Sequence, residues 1–91
     1  MKEEFRALVR GRVQLVLYRD FARRKAKSLG IFGTVRNLSD GTVEITAQGD
    51  RPALLTYIEE LKKGPMLAKV ERVEVEWRKP EKEINGFEII Y

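Results

Sequence analysis

Ninety-one residues with a net charge of +4, 43% of them hydrophobic and 35% charged, describe one domain, 1–91, with a modest core and exclude a disordered chain. No apolar run approaches the roughly 18 residues of a spanning helix, so no membrane partner is expected. The charged start Met1-Lys2-Glu3-Glu4 carries no signal peptide, and a cytoplasmic location follows as the expectation.

Residues 5–13 alternate. Phe5, Ala7, Val9, Gly11 and Val13 share one face, and Arg6, Leu8, Arg10 and Arg12 the other, which predicts a half-buried strand. A loop over 14–19 follows. Asp20 reads as a helix N-cap, Phe21, Ala22, Ala26 and Leu29 as the buried stripe, and Gly30 as the C-terminal stop. Residues 31–38 form a second strand, and Ser39-Asp40-Gly41 turns the chain into a third over 42–48. Asp50 and Pro52 open a second helix whose core stripe reads Leu54, Leu55, Ile58 and Leu61, bordered by Tyr57, and Gly64-Pro65 ends it. Val73, Val75 and Trp77 alternate with charged residues in a fourth strand. A polar connection over 78–85 leads to a short last strand, 86–91. Trp77, Phe87 and Tyr91 read as core or sheet-face residues.

The order β-α-β-β-α-β, with a terminal strand, predicts an α+β fold. It is a ferredoxin-like sandwich, a mostly antiparallel sheet with two helices on one face. That sandwich hosts many functions, so function must come from a site. The basic cluster Arg23-Arg24-Lys25-Lys27 reads as a solvated helix face rather than a nucleic-acid surface. Two asparagines and two glutamines beside abundant Lys, Arg and Glu give a balance found in thermophile proteins. Histidine and cysteine are both absent, which removes disulfides and thiolate metal sites. Any chemistry runs without either side chain and points to a substrate that is already reactive. The carboxylates show no metal-ligand spacing, so neither metal nor cofactor is expected.

The most informative stretch is Val13-Gln14-Leu15-Val16-Leu17-Tyr18-Arg19-Asp20. A strand runs through a short loop into a helix start, where backbone N–H groups and one guanidinium suit a phosphate-sized anion. Asn37, at the end of the next strand, is placed to hold a water molecule against the bound group.

At these residues the chain resembles the acylphosphatase family. The resemblance is carried by Gly11-Arg12-Val13-Gln14, Tyr18-Arg19, Gly30, Gly33, Val35-Arg36-Asn37-Leu38 and Asp40-Gly41-Thr42-Val43-Glu44. Gly64-Pro65, Val70-Glu71-Arg72-Val73-Glu74-Val75 and Gly86-Phe87-Glu88-Ile89 extend it in the family's order over nearly the whole chain. It implies metal-independent hydrolysis of small-molecule acyl phosphates to a carboxylate and inorganic phosphate. It places the catalytic arginine at Arg19, the catalytic asparagine at Asn37, and the phosphate-binding loop at Gln14, Leu15, Val16, Leu17, Tyr18 and Arg19. The chain departs from the usual Val-Gln-Gly-Val-Gly-Phe-Arg pattern with leucine at both glycine positions, Leu15 and Leu17. Thr34 stands where a tryptophan is common, a packing change.

The chemistry suits this inventory. The leaving carboxylate has a conjugate-acid pKa of roughly 4 and departs without a general acid. Two tasks remain: stabilising charge on the phosphoryl oxygens and placing the water in line. A grip on phosphate alone would make the enzyme broad. Arg19 could instead merely pair with Asp20, and Asn37 merely satisfy a turn. At Leu15 a negative φ is expected, because strain at a site needs a function to retain it. Leu15 and Leu17 would then form an apolar wall that dries the pocket, with Tyr18 packed beside the loop. Two other readings compete. One is a catalytically impaired module that binds anions or a protein. The other is an RRM-like RNA binder, which needs base-stacking aromatics that Val9, Val13, Val43 and Ile45 do not supply. A monomer that binds no nucleic acid is expected.

Overall fold

The structure, a computed structural model, describes residues 2–15 and 17–91. Its elements are β1 (Glu3–Arg12), α1 (Tyr18–Ser28), β2 (Phe32–Asn37), β3 (Val43–Gly49), α2 (Arg51–Lys63), β4 (Lys69–Arg78) and β5 (Phe87–Ile89). They build a five-stranded sheet in the order β4-β1-β3-β2-β5. The β1–β3, β1–β4 and β2–β3 pairs are antiparallel, and β5 joins β2 in parallel. This is the expected ferredoxin-like α+β sandwich.

The period-two pattern of β1 works as read. Phe5, Ala7, Val9 and Val13 are buried against the helices, opposite Val43, Ile45 and Ala47 of β3. Both helices cover that face and are tied across it by phenolic hydroxyls. Tyr18 donates to the Leu61 carbonyl at 2.6 Å, and Tyr57 to the Ala22 carbonyl at 2.8 Å. On α2 the buried stripe is Leu54, Tyr57, Ile58 and Leu61. Tyr57 therefore belongs to the core and Leu55 lies half out in solvent, since three- and four-residue steps from Leu54 reach 57 and 58 but not 55. The opposite face of the sheet carries ion pairs, with Arg6 and Arg36 both on Glu44 and Arg10 and Arg72 both on Glu74.

Three elements have ends that differ from the sequence reading. Helix α1 begins at Tyr18, with Leu17 rather than Asp20 at the N-cap, and Asp20 sits within the first turn. Strand β5 is shorter than 86–91, and β4 begins at Lys69, ahead of the alternation at Val73, Val75 and Trp77. The far end of α1 is as read. Gly30 takes φ 71°, and the Ile31 N–H reaches back to the Ala26 carbonyl at 2.8 Å, the six-to-one bond of a glycine-terminated helix. At the end of β1 the register with β4 shifts between Arg10 and Gly11. Gly11 has φ 129°, and a Cβ there would lie 2.2 Å from the Lys69 carbonyl oxygen. Only glycine lets β4 approach this closely while β1 turns toward the loop.

Candidate active site

Leu15 and Leu17 sit in the left-handed region, at φ 62° and 61°. The negative φ expected at Leu15 is wrong. The loop keeps the backbone that glycine would favour and carries leucine in it, at about 1–2 kcal/mol of steric cost for each. Neither side chain fills an anion position. Leu15 is 99% and Leu17 77% exposed. Val16 lies outside the described residues.

Leu17 caps α1 with backbone alone, and no side chain accepts from the first turn. The first helical bond runs from the Phe21 N–H to the Leu17 carbonyl at 3.0 Å. The N–H groups of Tyr18, Arg19 and Asp20 precede it, and helix geometry gives them no carbonyl partner. The positive end of the α1 dipole is therefore open to an anion.

Arg19 is the first cation on that turn. It does not pair with Asp20, which instead accepts from Arg24 at 2.8 Å, four residues on. The Arg19 guanidinium lies over the Tyr91 ring, 4.9 Å from its centroid. That contact holds the long side chain without consuming its charge.

Asn37 ends β2 and pairs in register with Val43. Two residues on from buried Val35, it faces the helix side of the sheet, toward the start of α1. Its Oδ1 is buried, and among the described residues it is the one such side-chain atom with no hydrogen-bond partner. It does not satisfy a turn. Thr42 closes that turn instead, with its N–H and hydroxyl on Asp40 at 3.1 and 2.6 Å. Those bonds, the hydroxyl's first, hold the Asp40 carboxyl below its ordinary pKa.

Gln14 has a different job from its neighbours. Its side-chain amide donates to the Leu38 and Thr42 carbonyls, both at 2.8 Å, and so bolts the loop to the turn that follows Asn37. Tyr18, packed beside the loop as expected, is buried in the core, where burial raises its pKa far above the ordinary phenol value.

Arg19, Asp20 and Asn37 line a cleft of about 360 Å³ together with Leu15, Leu17, Ile89 and Tyr91. Tyr91 was read as core or sheet face, yet it is 97% exposed beside Arg19. Its phase is the available signal. Phe87, Ile89 and Tyr91 are spaced two apart; Phe87 is buried in the core, Ile89 packs half-buried against it, and Tyr91 stays outside. A larger hollow of about 530 Å³ lies on the other face of the sheet, near Thr34 and Thr46. Its buried carboxylate, Glu4, already accepts from the Gln48 side-chain amide at 2.7 Å. Among the described residues no group of three or more carboxylates is arranged to hold a metal ion.

The acylphosphatase family model matches residues 5–89. The chain belongs to the acylphosphatase family. It is similar to an acylphosphatase of Thermus thermophilus, with 51% identity over 83 residues that cover 91% of this chain and 93% of the relative. The crystal structure of acylphosphatase from Bacillus subtilis superposes with a TM-score of 0.95 at 35% identity, covering 100% of both chains. A structure of an acylphosphatase from Coxiella burnetii gives 0.92 at 35% identity, over 98% of this chain and 93% of the other.

Proposed function

We propose that this acylphosphatase hydrolyses acyl phosphates by direct attack of water on phosphorus, with Arg19 and the loop N–H groups holding the phosphoryl oxygens and Asn37 holding the water. The observation that carries the reading is the unpartnered Oδ1 of Asn37, buried beside the cleft that holds Arg19 and the uncapped start of α1. A buried acceptor without a donor costs about 1–3 kcal/mol, and a water molecule bound in the cleft supplies that donor.

The reaction then needs little else. The water oxygen forms a bond to phosphorus as the bond from phosphorus to the acyl oxygen breaks, and the electron pair leaves with the carboxylate. The carboxylate is stable without a proton near neutral pH. The water's proton passes to a phosphate oxygen, so a chain without histidine or cysteine lacks nothing the step requires. Charge on the equatorial oxygens grows toward Arg19 and the N–H groups of the first helical turn, which are fixed before the substrate arrives. The Gln14 amide keeps that loop in register with Asn37. The enzyme works as a cytoplasmic monomer and uses no metal or organic cofactor.

The impaired-module reading requires Leu15 or Leu17 in the anion position, and both side chains stand in solvent. The RNA reading is disfavoured on a different face from the one first considered. Val9, Val43 and Ile45 are buried under the helices. The solvent side of the central strands carries Arg6, Leu8, Arg10, Glu44 and Thr46, again without an aromatic for stacking.

The test is direct. Purified protein is mixed with benzoyl phosphate in EDTA, and loss of the aryl acyl phosphate absorbance is followed. Rapid decay is expected, with inorganic phosphate as a competitive inhibitor. Unchanged decay at high protein concentration would refute the activity, and magnesium-restored activity after chelation would refute the mechanism.

A further inference from the structure

We propose that Leu15 and Leu17, with Ile89 and Tyr91, form a subsite for an apolar acyl group, so that the preferred substrates are acyl phosphates of medium-length aliphatic or aromatic acids. This rests on the acyl phosphate reading above and names the other half of the substrate.

Leu15 and Leu17 are costly twice over. Both occupy left-handed backbone that branched side chains avoid, and both leave that side chain largely in water. Neither belongs to the hydrophobic core, so folding does not explain them. Both line the cleft of Arg19 and Asn37, together with half-buried Ile89 and the exposed ring of Tyr91. Strain and exposed apolar surface retained together at a site point to a ligand. A phosphoryl group gains nothing from four apolar side chains, whereas the acyl chain joined to it does.

Size and charge narrow the class. A cleft of about 360 Å³ falls in the range of small-molecule sites, and one phosphate fills only a fraction of it. Of its lining residues Arg19 is the one cation, and the phosphoryl group claims it. An acyl group with its own carboxylate or phosphate meets no second cation there. Chains of about four to eight carbons fit the remaining space.

The experiment compares kcat/KM for acetyl, butyryl, hexanoyl and succinyl phosphates. Leaving-group acidity barely changes along the saturated series, so differences report contacts with the chain. The expected result is a rise of about tenfold from acetyl to hexanoyl phosphate, with succinyl phosphate no better than acetyl. In the double variant Leu15→Asn and Leu17→Asn, the hexanoyl-to-acetyl ratio should fall about fivefold. Asparagine tolerates left-handed backbone, so the loop shape is kept, and any damage common to both substrates cancels in the ratio. Hydrolysis of all four substrates with a flat wild-type profile overturns the subsite and leaves the activity standing. A chain-length preference that survives in the double variant overturns the role of the two leucines. Hydrolysis of none overturns the acyl phosphate reading itself and the subsite with it. The wild-type series decides on its own should the double variant fail to fold.

Discussion

Asn37 and Gln48 are two amides on neighbouring strands, and they live opposite lives. Gln48 is fully buried and fully bonded. Its Nε2 donates to Glu4 and to the Lys82 carbonyl, both at 2.7 Å, and its Oε1 accepts from the Ile84 N–H at 2.9 Å. Those bonds fasten the 79–86 connection to the sheet, with Arg78 paired to Glu4 alongside. Asn37 Oδ1 is buried as well and has nothing. A polar group that folding satisfies is a structural part. One that folding leaves unsatisfied beside an uncapped helix is kept for something that arrives later. Substitutions should therefore separate stability from activity in opposite senses at the two positions.

The largest effect belongs to the cation both amides lack. Arg19→Gln should lower kcat/KM by about three to four orders of magnitude and weaken inhibition by inorganic phosphate, because the charge is lost in ground and transition states alike. Asn37→Ala should lower kcat by about two to three orders of magnitude while phosphate inhibition and thermal stability stay near the parental values. Near-parental kcat in that variant would remove the water from Asn37. Gln48→Leu should reverse the pattern. It strands the Ile84 N–H and the Lys82 carbonyl, so a loss of about 2–3 kcal/mol is expected in urea unfolding, with kcat of the folded fraction unchanged.

Tyr18 and Tyr57 extend the contrast to pH. Burial raises both phenol pKa values, and for Tyr57 the neighbouring Tyr18 adds to it. The folded chain keeps protons that the unfolded chain releases near pH 10. Stability from these groups is therefore complete below about pH 10 and falls above it, by up to about 1.4 kcal/mol per pH unit for each tyrosine. Urea midpoints at pH 8 and 11 for the parent and Tyr57→Phe check this, and the variant should show the shallower loss. The smallest effect is at the loop. Leu15→Gly or Leu17→Gly should relieve about 1–2 kcal/mol of backbone strain and add about 0.5–1 kcal/mol of unfolded-state entropy, for a net gain between zero and about 1.5 kcal/mol. A loss of stability in both variants would mean that the leucine side chains contribute packing of their own.

Much of the fold was legible because it follows periodicity. Phe5, Ala7 and Val9 declare the core face of β1, and the Asp40-Gly41 turn declares the β2–β3 hairpin. The start of α1 was not legible. Asp20 is a better N-cap by composition, but the first helical bond is accepted by Leu17, a residue whose φ nothing in its chemistry favours. The same blindness hid the strain at Leu15, which long-range fastening through Gln14 helps impose rather than local preference. Arg19 and Asn37 were nameable from motif and spacing. Ile89 and Tyr91 were not, because their place in the cleft depends on β5 pairing in parallel with β2 more than fifty residues after that strand begins.

That last strand gives the site a dynamic signature. β5 is a three-residue edge, paired on one side only and flanked by the bonds from Gly33 N–H to Gly86 and from Ile90 N–H to Val35. Short one-sided strands open locally at a lower free energy than the sheet interior. Each such opening carries Ile89 and Tyr91 away from the cleft and takes the aromatic ring from under the Arg19 guanidinium. Catalysis should therefore fade at denaturant concentrations where the four-stranded remainder and both helices are still intact. Enzyme activity thus becomes a reporter of edge-strand docking rather than of global folding.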